Sequence, residues 1–167
     1  MSGPFQRMAH KPRRLLVGVA VLLPLVLAAS GAEAAACKKV SGSFTLTPLT
    51  GPACVSPVGI CATGAYKGGI KATSVFTGTS LIQTVDTPTT AVVLLTGDNL
   101  LTAGGGTLST KDAIVLRTSG AGDFAEVDTV VAGTGQWAGA TGVLRAQGTF
   151  TATAGGGGDY VGELCTP

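Results

Sequence analysis

Val130-Val131-Ala132-Gly133-Thr134-Gly135-Gln136-Trp137-Ala138-Gly139-Ala140-Thr141-Gly142 is the stretch on which the fold turns. An apolar run leads into it. Gly133 and Gly135 permit the positive φ that a tight turn needs. Trp137 supplies one large apolar surface, suited to capping the end of a barrel. Gly139 and Gly142 let the backbone bend or approach a neighbour closely. Glycines bring no acid, base or nucleophile. Gly133, Thr134, Gly135, Trp137, Gly139 and Gly142 are therefore expected to build the fold and to do no chemistry.

Outward from this turn the same rhythm repeats. Val, Thr, Ala, Gly and Ser dominate, and no stretch shows helical spacing with caps. Thr and Val favour strands, and glycine clusters punctuate them at short intervals. Val40, Phe44 and Leu46 alternate with Ser41, Ser43, Thr45 and Thr47 and predict a half-buried strand. Residues 51–64 read as a loop. Residues 70–83 read as a long strand kinked at Gly78, ended by Thr87-Pro88-Thr89. Ala91 to Thr96 reads as a strand buried on both faces. Gly97-Asp98-Asn99 and Gly104-Gly105-Gly106 read as breaks flanking a short Leu100–Thr102 pairing. Residues 107–110 and 113–118 read as strands around Lys111-Asp112, followed by strands over 124–132, 140–153 and 159–165. About eight strands result, the pattern of an all-β antiparallel barrel or sandwich.

The N-terminus reads differently. Arg7, Lys11, Arg13 and Arg14 precede an apolar zone from Leu15 to Ala29, and small residues from Ser30 to Ala36 follow. That order is the secretory signal pattern, with cleavage expected after Ala34 or Ala36. The apolar zone is shorter than the roughly 20 residues of a membrane helix, so no stable membrane span is expected after cleavage. Arg13-Arg14 hints at the twin-arginine route, but Pro12 departs from that motif, and the general route is favoured. The chain is therefore divided into a signal peptide (residues 1–36) and one β-barrel domain (residues 37–167), with a secreted, extracellular destination.

Without the leader the charge reverses. The whole sequence has 11 Lys and Arg against 9 Asp and Glu. Four of those bases and Glu33 leave with the leader, so seven bases face eight acids. No basic patch remains to attract nucleic acid. The single histidine, His10, also leaves. Cys37, Cys54, Cys61 and Cys165 remain, an even count that predicts disulfides in an exported chain. Of three pairings, Cys54–Cys61 with Cys37–Cys165 is preferred: one closes a short loop, and the other ties the start of the domain to its end. A lipid on Cys37 is the minor alternative; it lacks the usual leucine three places upstream and would leave an odd thiol count.

The turn quoted first resembles a strand–turn–strand signature of the allene oxide cyclase barrels and the plant dirigent proteins. In those families an apolar strand leads to Gly-Thr-Gly or Gly-Ser-Gly, an aromatic one residue later, and then a step of small residues. Glu126 stands upstream, where dirigent proteins often have a glutamate. Tyr160-Val161-Gly162-Glu163 resembles the closing strand of bacterial members. The close match covers this turn, and the rest of the chain agrees in strand rhythm. The resemblance implies an eight-stranded antiparallel barrel in a secreted bacterial member. It also implies a small hydrophobic or phenolic ligand. The chain departs from both families at points that matter. Ala138 and Thr141 stand where dirigent proteins carry arginines after the turn aromatic. Lys39 to Thr47 holds no carboxylate where plant allene oxide cyclases have one on the first strand.

Candidate chemical residues are few. Glu126 and Asp128 share one face of their strand. The opposite face, with Ala125, Val127, Thr129 and Val131, is the more apolar, so both acids are expected in solvent. By the same reasoning Arg145 and Gln147 lie opposite a core face of Leu144, Ala146, Gly148 and Phe150. A ligand-binding barrel can invert this, with a polar lumen and an apolar outside covered by a homo-oligomer. Glu126, Arg145 and Tyr66 are then the candidate ligand-binding residues, while Asp98-Asn99 and Asp112 read as turn residues. No nucleophile–base pair, metal-ligand cluster or phosphate loop is legible, and neither a metal nor a cofactor is expected. Three functions are consistent with this: a barrel that binds a small apolar or phenolic molecule without turning it over, a cyclase, isomerase or coupling guide, or a structural envelope protein with no ligand.

Overall fold

Parity along each strand decides which side chains go inside. In the fifth strand Leu108, Thr110, Asp112, Ile114 and Leu116 share one face, and Thr107, Ser109, Lys111, Ala113 and Val115 the other. The first set turns inward and the second outward. The computed structural model describes residues 36–84 and 91–167. The expected leader, apart from Ala36, and the Thr87-Pro88-Thr89 break lie outside the described residues.

Eight strands follow in chain order: β1 (Ala36–Leu49), β2 (Cys61–Gly68), β3 (Ala72–Gln83), β4 (Val92–Ala103), β5 (Gly106–Arg117), β6 (Asp123–Gly133), β7 (Thr141–Thr151) and β8 (Gly155–Thr166). Each pairs antiparallel with its neighbour, and β8 returns to β1 to close the barrel. Closure removes both sheet edges. The expected eight-stranded antiparallel barrel is therefore the observed fold.

Several strand limits differ from expectation. Residues 51–64 contain only a short 3-10 turn (Gly51–Ala53) before β2 begins at Cys61. The Gly-Ala content of β2 hid it, because those small residues pass beside bulky neighbours on β1 and β3. β4 runs straight through Gly97-Asp98-Asn99, and β5 through Lys111-Asp112. Asp98 and Lys111 face each other across β4 and β5 and form an ion pair at 2.5 Å on the outer surface. Their neighbours Asn99 and Asp112 point inward. The run Ala91–Thr96 is not buried on both faces. Val93 and Leu95 are buried while Leu94 is exposed, because a single-layered barrel covers only its inner face. The kink at Gly78 is a register shift against β4 between Gly78 and Ser80.

One half of the lumen is solid. Ile70, Leu101, Leu108, Val130, Leu144 and Tyr160 pack there with Trp137, from the 3-10 turn Gly135–Trp137. Leu101 and Leu108 face each other across β4 and β5. The Tyr160 hydroxyl accepts a hydrogen bond from the Ile70 amide at 2.8 Å and lies 3.1 Å from the Lys67 carbonyl. It thereby latches β8 to the β2–β3 connection. In the glycine-rich turn Gly135 has φ +58°, and a Cβ on Gly133 would stand 2.0 Å from the Trp137 carbonyl oxygen. This motif closes one end of the barrel, as its sequence implied. Cys37 and Cys165 are direct cross-strand partners joined by a disulfide at the same end, and a second disulfide joins Cys54 to Cys61. The expected pairing is the one present. With its sulfur bonded to Cys165, Cys37 has none to give to a lipid thioether.

The outer surface is partly apolar. Ile82, Leu94 and Val115 lie side by side across β3, β4 and β5, and all are exposed. No helix among the described residues is long and apolar enough to cross a membrane.

Candidate functional site: the open half of the lumen

The other half of the lumen is hollow. Its mouth, a recess of about 260 Å³, is lined by Pro48, Leu49, Gly59, Thr118 and Ala152 among others. Below it lies a narrower chamber of about 40 Å³, walled by Phe44, Phe76, Leu95, Ile114 and Phe124. Ile60, Leu116 and Phe150 line both, so the two form one funnel. Three polar residues reach the chamber: Tyr66, Asn99 and Glu126.

The rim is fixed by the segment between the cysteines of the short disulfide. The Ser56 hydroxyl donates to the Gly78 carbonyl at 2.6 Å and accepts from the Val58 and Ile60 amides at 3.1 and 3.2 Å. The Gly78 amide donates in turn to the Ile60 carbonyl at 2.8 Å. These bonds hold Ile60 over the chamber and explain the irregularity in β3. Phe44 stacks on Tyr66 with ring centroids 5.4 Å apart, and Tyr66 meets Tyr160 at 5.3 Å, where the hollow half passes into the solid one.

Beside the chamber lies a cluster of acids. Asp112 and Asp128 are direct partners across β5 and β6, and Glu126 stands two residues from Asp128 on the same inward face. Carboxylate oxygens of all three lie within 4.8 Å of one another. Asp112 is 3% exposed and Asp128 1%, while Glu126 is half-buried. The Thr110 hydroxyl donates to Asp112 Oδ1 at 2.5 Å. No amide or hydroxyl hydrogen reaches Asp112 Oδ2, either oxygen of Asp128 or the Asn99 Oδ1, and the two aspartates share hydrogen bonds with the Glu126 carboxyl. Every lysine and arginine among the described residues is exposed, so no protein cation answers this charge.

Burial is therefore the largest influence on the carboxyls. It pushes Asp112 up to about 8, helped by the charge of Asp128 and resisted by the Thr110 hydrogen bond. It raises Asp128 to about 6. Glu126 rises well above the usual carboxylate range, through burial first and then through the charges of Asp128 and Asp112. Tyr66 is raised by burial and then by the acids, so its phenol stays protonated.

The residues expected from the sequence divide accordingly. Glu126 and Tyr66 both line the chamber. Arg145 does not: it is exposed on the outside of β7, in a groove with Lys39, Val143, Val161 and Glu163. Parity with buried Leu144 and Ala146 sends it there. The placement of Glu126 and Asp128 in solvent is overturned. They share parity with Phe124 and Val130, which are buried, whereas Val127 and Val131 are exposed. Asp112 and Asn99, read as turn residues, are the inward residues the sequence reading missed. No metal-ligand cluster was legible in the sequence, because strand pairing, not spacing along the chain, brings the three acids together.

No protein-family profile matches this chain, and no curated protein matches it. Among solved structures it is similar to a pterocarpan synthase dirigent protein, with 16% identity and a TM-score of 0.42 over 90% of this chain and 99% of the other. The class defined here rests on the strand register itself: a closed eight-stranded barrel with one packed end, one open mouth and an acid cluster between. No residue role is carried over from the dirigent protein.

Proposed function

We propose that this barrel binds a small, largely apolar or phenolic molecule. The ligand enters by the mouth and offers a hydroxyl donor to the acceptor oxygens below. The observation carrying this reading is the funnel itself: apolar and aromatic walls leading to Glu126, Tyr66 and Asn99. Ligand sites usually combine such walls with a few convergent polar groups. The chamber is narrow, so the mouth holds most of the ligand and only one end of it reaches the acids. Proteins secreted through an oxidising compartment keep disulfides, and the two present here fit that destination.

Native mass spectrometry of protein purified without denaturant, followed by extraction of co-purifying small molecules, tests the reading. A phenol series titrated against the protein should give binding that Glu126→Gln weakens and that Ile60→Trp, which fills the funnel, abolishes. Binding insensitive to both changes would place the ligand elsewhere. A folded protein that takes up no member of the series would leave the structural, ligand-free reading. A second reading is catalytic, as a cyclase, isomerase or coupling guide. It draws on the position of the carboxyl cluster at the base of a water-excluding recess, where proton transfer to a held substrate is geometrically served. Turnover of a bound ligand by the wild type, lost in Glu126→Gln, would establish it.

A further inference from the structure

We infer that Asp112, Glu126 and Asp128, with the amide oxygen of Asn99, form a site for one hard divalent cation. The site goes beyond the ligand reading and stands whether or not an organic molecule occupies the mouth.

Distance is the first argument. The three carboxylates reach within 4.8 Å of one another. Calcium binds oxygens at about 2.3–2.6 Å, so opposite ligands around it stand roughly 5 Å apart. Magnesium, at about 2.0–2.1 Å, also fits oxygens lying anywhere within that limit, so the spacing admits a hard divalent cation without choosing its size. One such ion can therefore reach all three acids. The strands are fixed, since Asp112 and Asp128 are paired in the sheet and Glu126 faces Ile114 one step away.

The second argument comes from a residue outside the acid cluster. Asn99 belongs to β4, is 6% exposed, and lines the same chamber as Glu126. Its Oδ1 has no hydrogen-bond partner. Across the sheet it faces Thr110, whose hydroxyl holds Asp112. A buried amide oxygen with no donor is unfavourable unless something supplies positive charge. Four oxygens here, one on Asn99, one on Asp112 and two on Asp128, meet no amide or hydroxyl donor, so without a cation these aspartate oxygens are answered only by sharing protons with Glu126. Each lysine and arginine among the described residues is exposed, and these residues include no histidine. A cation held by the three acids would also supply positive charge beside Asn99, which faces Thr110 on the adjoining strand.

The donor set fixes the kind of cation. Carboxylate and amide oxygens without nitrogen or sulfur suit calcium, magnesium or manganese, and not the softer metals. The chamber above, about 40 Å³, has room for the water that would complete the coordination. Half-buried Glu126 is the ligand nearest the entry path.

Titration of chelator-stripped protein with calcium, magnesium and manganese chloride, followed by calorimetry and by thermal melting, tests this. One calcium per chain should bind with a dissociation constant at or below roughly 10⁻⁴–10⁻³ M, the extracellular range, and raise the melting temperature. Asp128→Asn should weaken it at least tenfold. If that variant fails to fold, Glu126→Gln and Asn99→Leu replace it, and each should weaken calcium by severalfold or more. No heat and no melting shift with any of the three cations would overturn the site. Binding unchanged in Glu126→Gln and Asn99→Leu would overturn it too, by assigning the ion to surface carboxylates. Phenol binding by chelator-stripped protein would preserve the ligand reading after such a failure, so the two stand or fall separately.

Discussion

The two halves of the barrel use the same strands to opposite ends. In the closed half, Leu101, Leu108, Leu144 and Tyr160 fill the lumen, and the Tyr160 hydroxyl is hydrogen-bonded, while the Ser74 hydroxyl opposite Leu101 has no partner. In the open half, Phe44, Phe76, Leu95 and Phe124 line a hollow, and the polar atoms beside it lack partners. The first half is built as protein interiors generally are, with apolar packing and, Ser74 apart, satisfied polar groups. The second violates both rules at one place. Unfilled volume and unanswered charge lower stability, and their coincidence marks where the molecule gives up stability for a site.

The sharpest way to test this division is through the disulfides, one at each end. Replacing Cys37 and Cys165 by serine opens a 128-residue loop and should cost about 5 kcal/mol in the chain-entropy account. Replacing Cys54 and Cys61 opens a separation of only 7 residues and should cost about 2.5 kcal/mol. Denaturant unfolding of each double variant measures the two. The second should also loosen the Ser56–Gly78 rim and weaken ligand uptake, which the first should spare in whatever fraction stays folded. Equal costs, or ligand loss in the first variant alone, would break the comparison.

Leucine truncation follows. Leu144→Ala, in the closed half, should destabilise by about 3 kcal/mol, because its neighbours cannot collapse into the space. Leu46→Ala, beside the hollow, should cost nearer 1 kcal/mol, since part of its surroundings is already empty. Melting curves of the two variants give the ratio.

A smaller difference should appear with pH in chelator-treated protein. The folded pKa values of Asp112, Glu126 and Asp128 all lie above their ordinary values, mainly through burial. The folded state therefore binds protons more tightly than the unfolded chain. That contribution is complete below the unfolded carboxyl range near pH 4. It is lost as pH rises through about 6 and 8, the values for Asp128 and Asp112. Stability should fall across that window, and Asp128→Asn should flatten the fall. A rise in stability over the same window would contradict the burial of the cluster.

The smallest effect is expected outside the barrel. Arg145→Ala should change stability by no more than about 0.5 kcal/mol and leave ligand affinity alone, because its side chain is exposed on the outer face. Glu126→Gln, on the neighbouring strand but facing the chamber, should change affinity. An Arg145→Ala variant that lost binding would move the site to the outer groove with Lys39 and Glu163.

Along the chain, the strand rhythm, the turn around Trp137 and the presence of disulfides were legible, with Cys54–Cys61 and Cys37–Cys165 a preference among three pairings. Each is a local matter: alternation, glycine at a tight turn, and an even count of thiols. It also supplied the parity that should have located the site. Asn99 is in phase with Leu101 and Leu95, Asp112 with Leu108 and Leu116, and Glu126 with Phe124 and Val130. That signal was masked because polar residues within strands look like breaks, and because the apolar valines of β6 seemed the better core. Only the tertiary structure decided which face of the sheet is inside. Closure of the barrel makes every in-phase residue converge on one axis, whatever its polarity. A residue such as Asp128, 1% exposed on β6, shares parity with Phe124 and Val130, but only closure of the barrel makes that face the inner one.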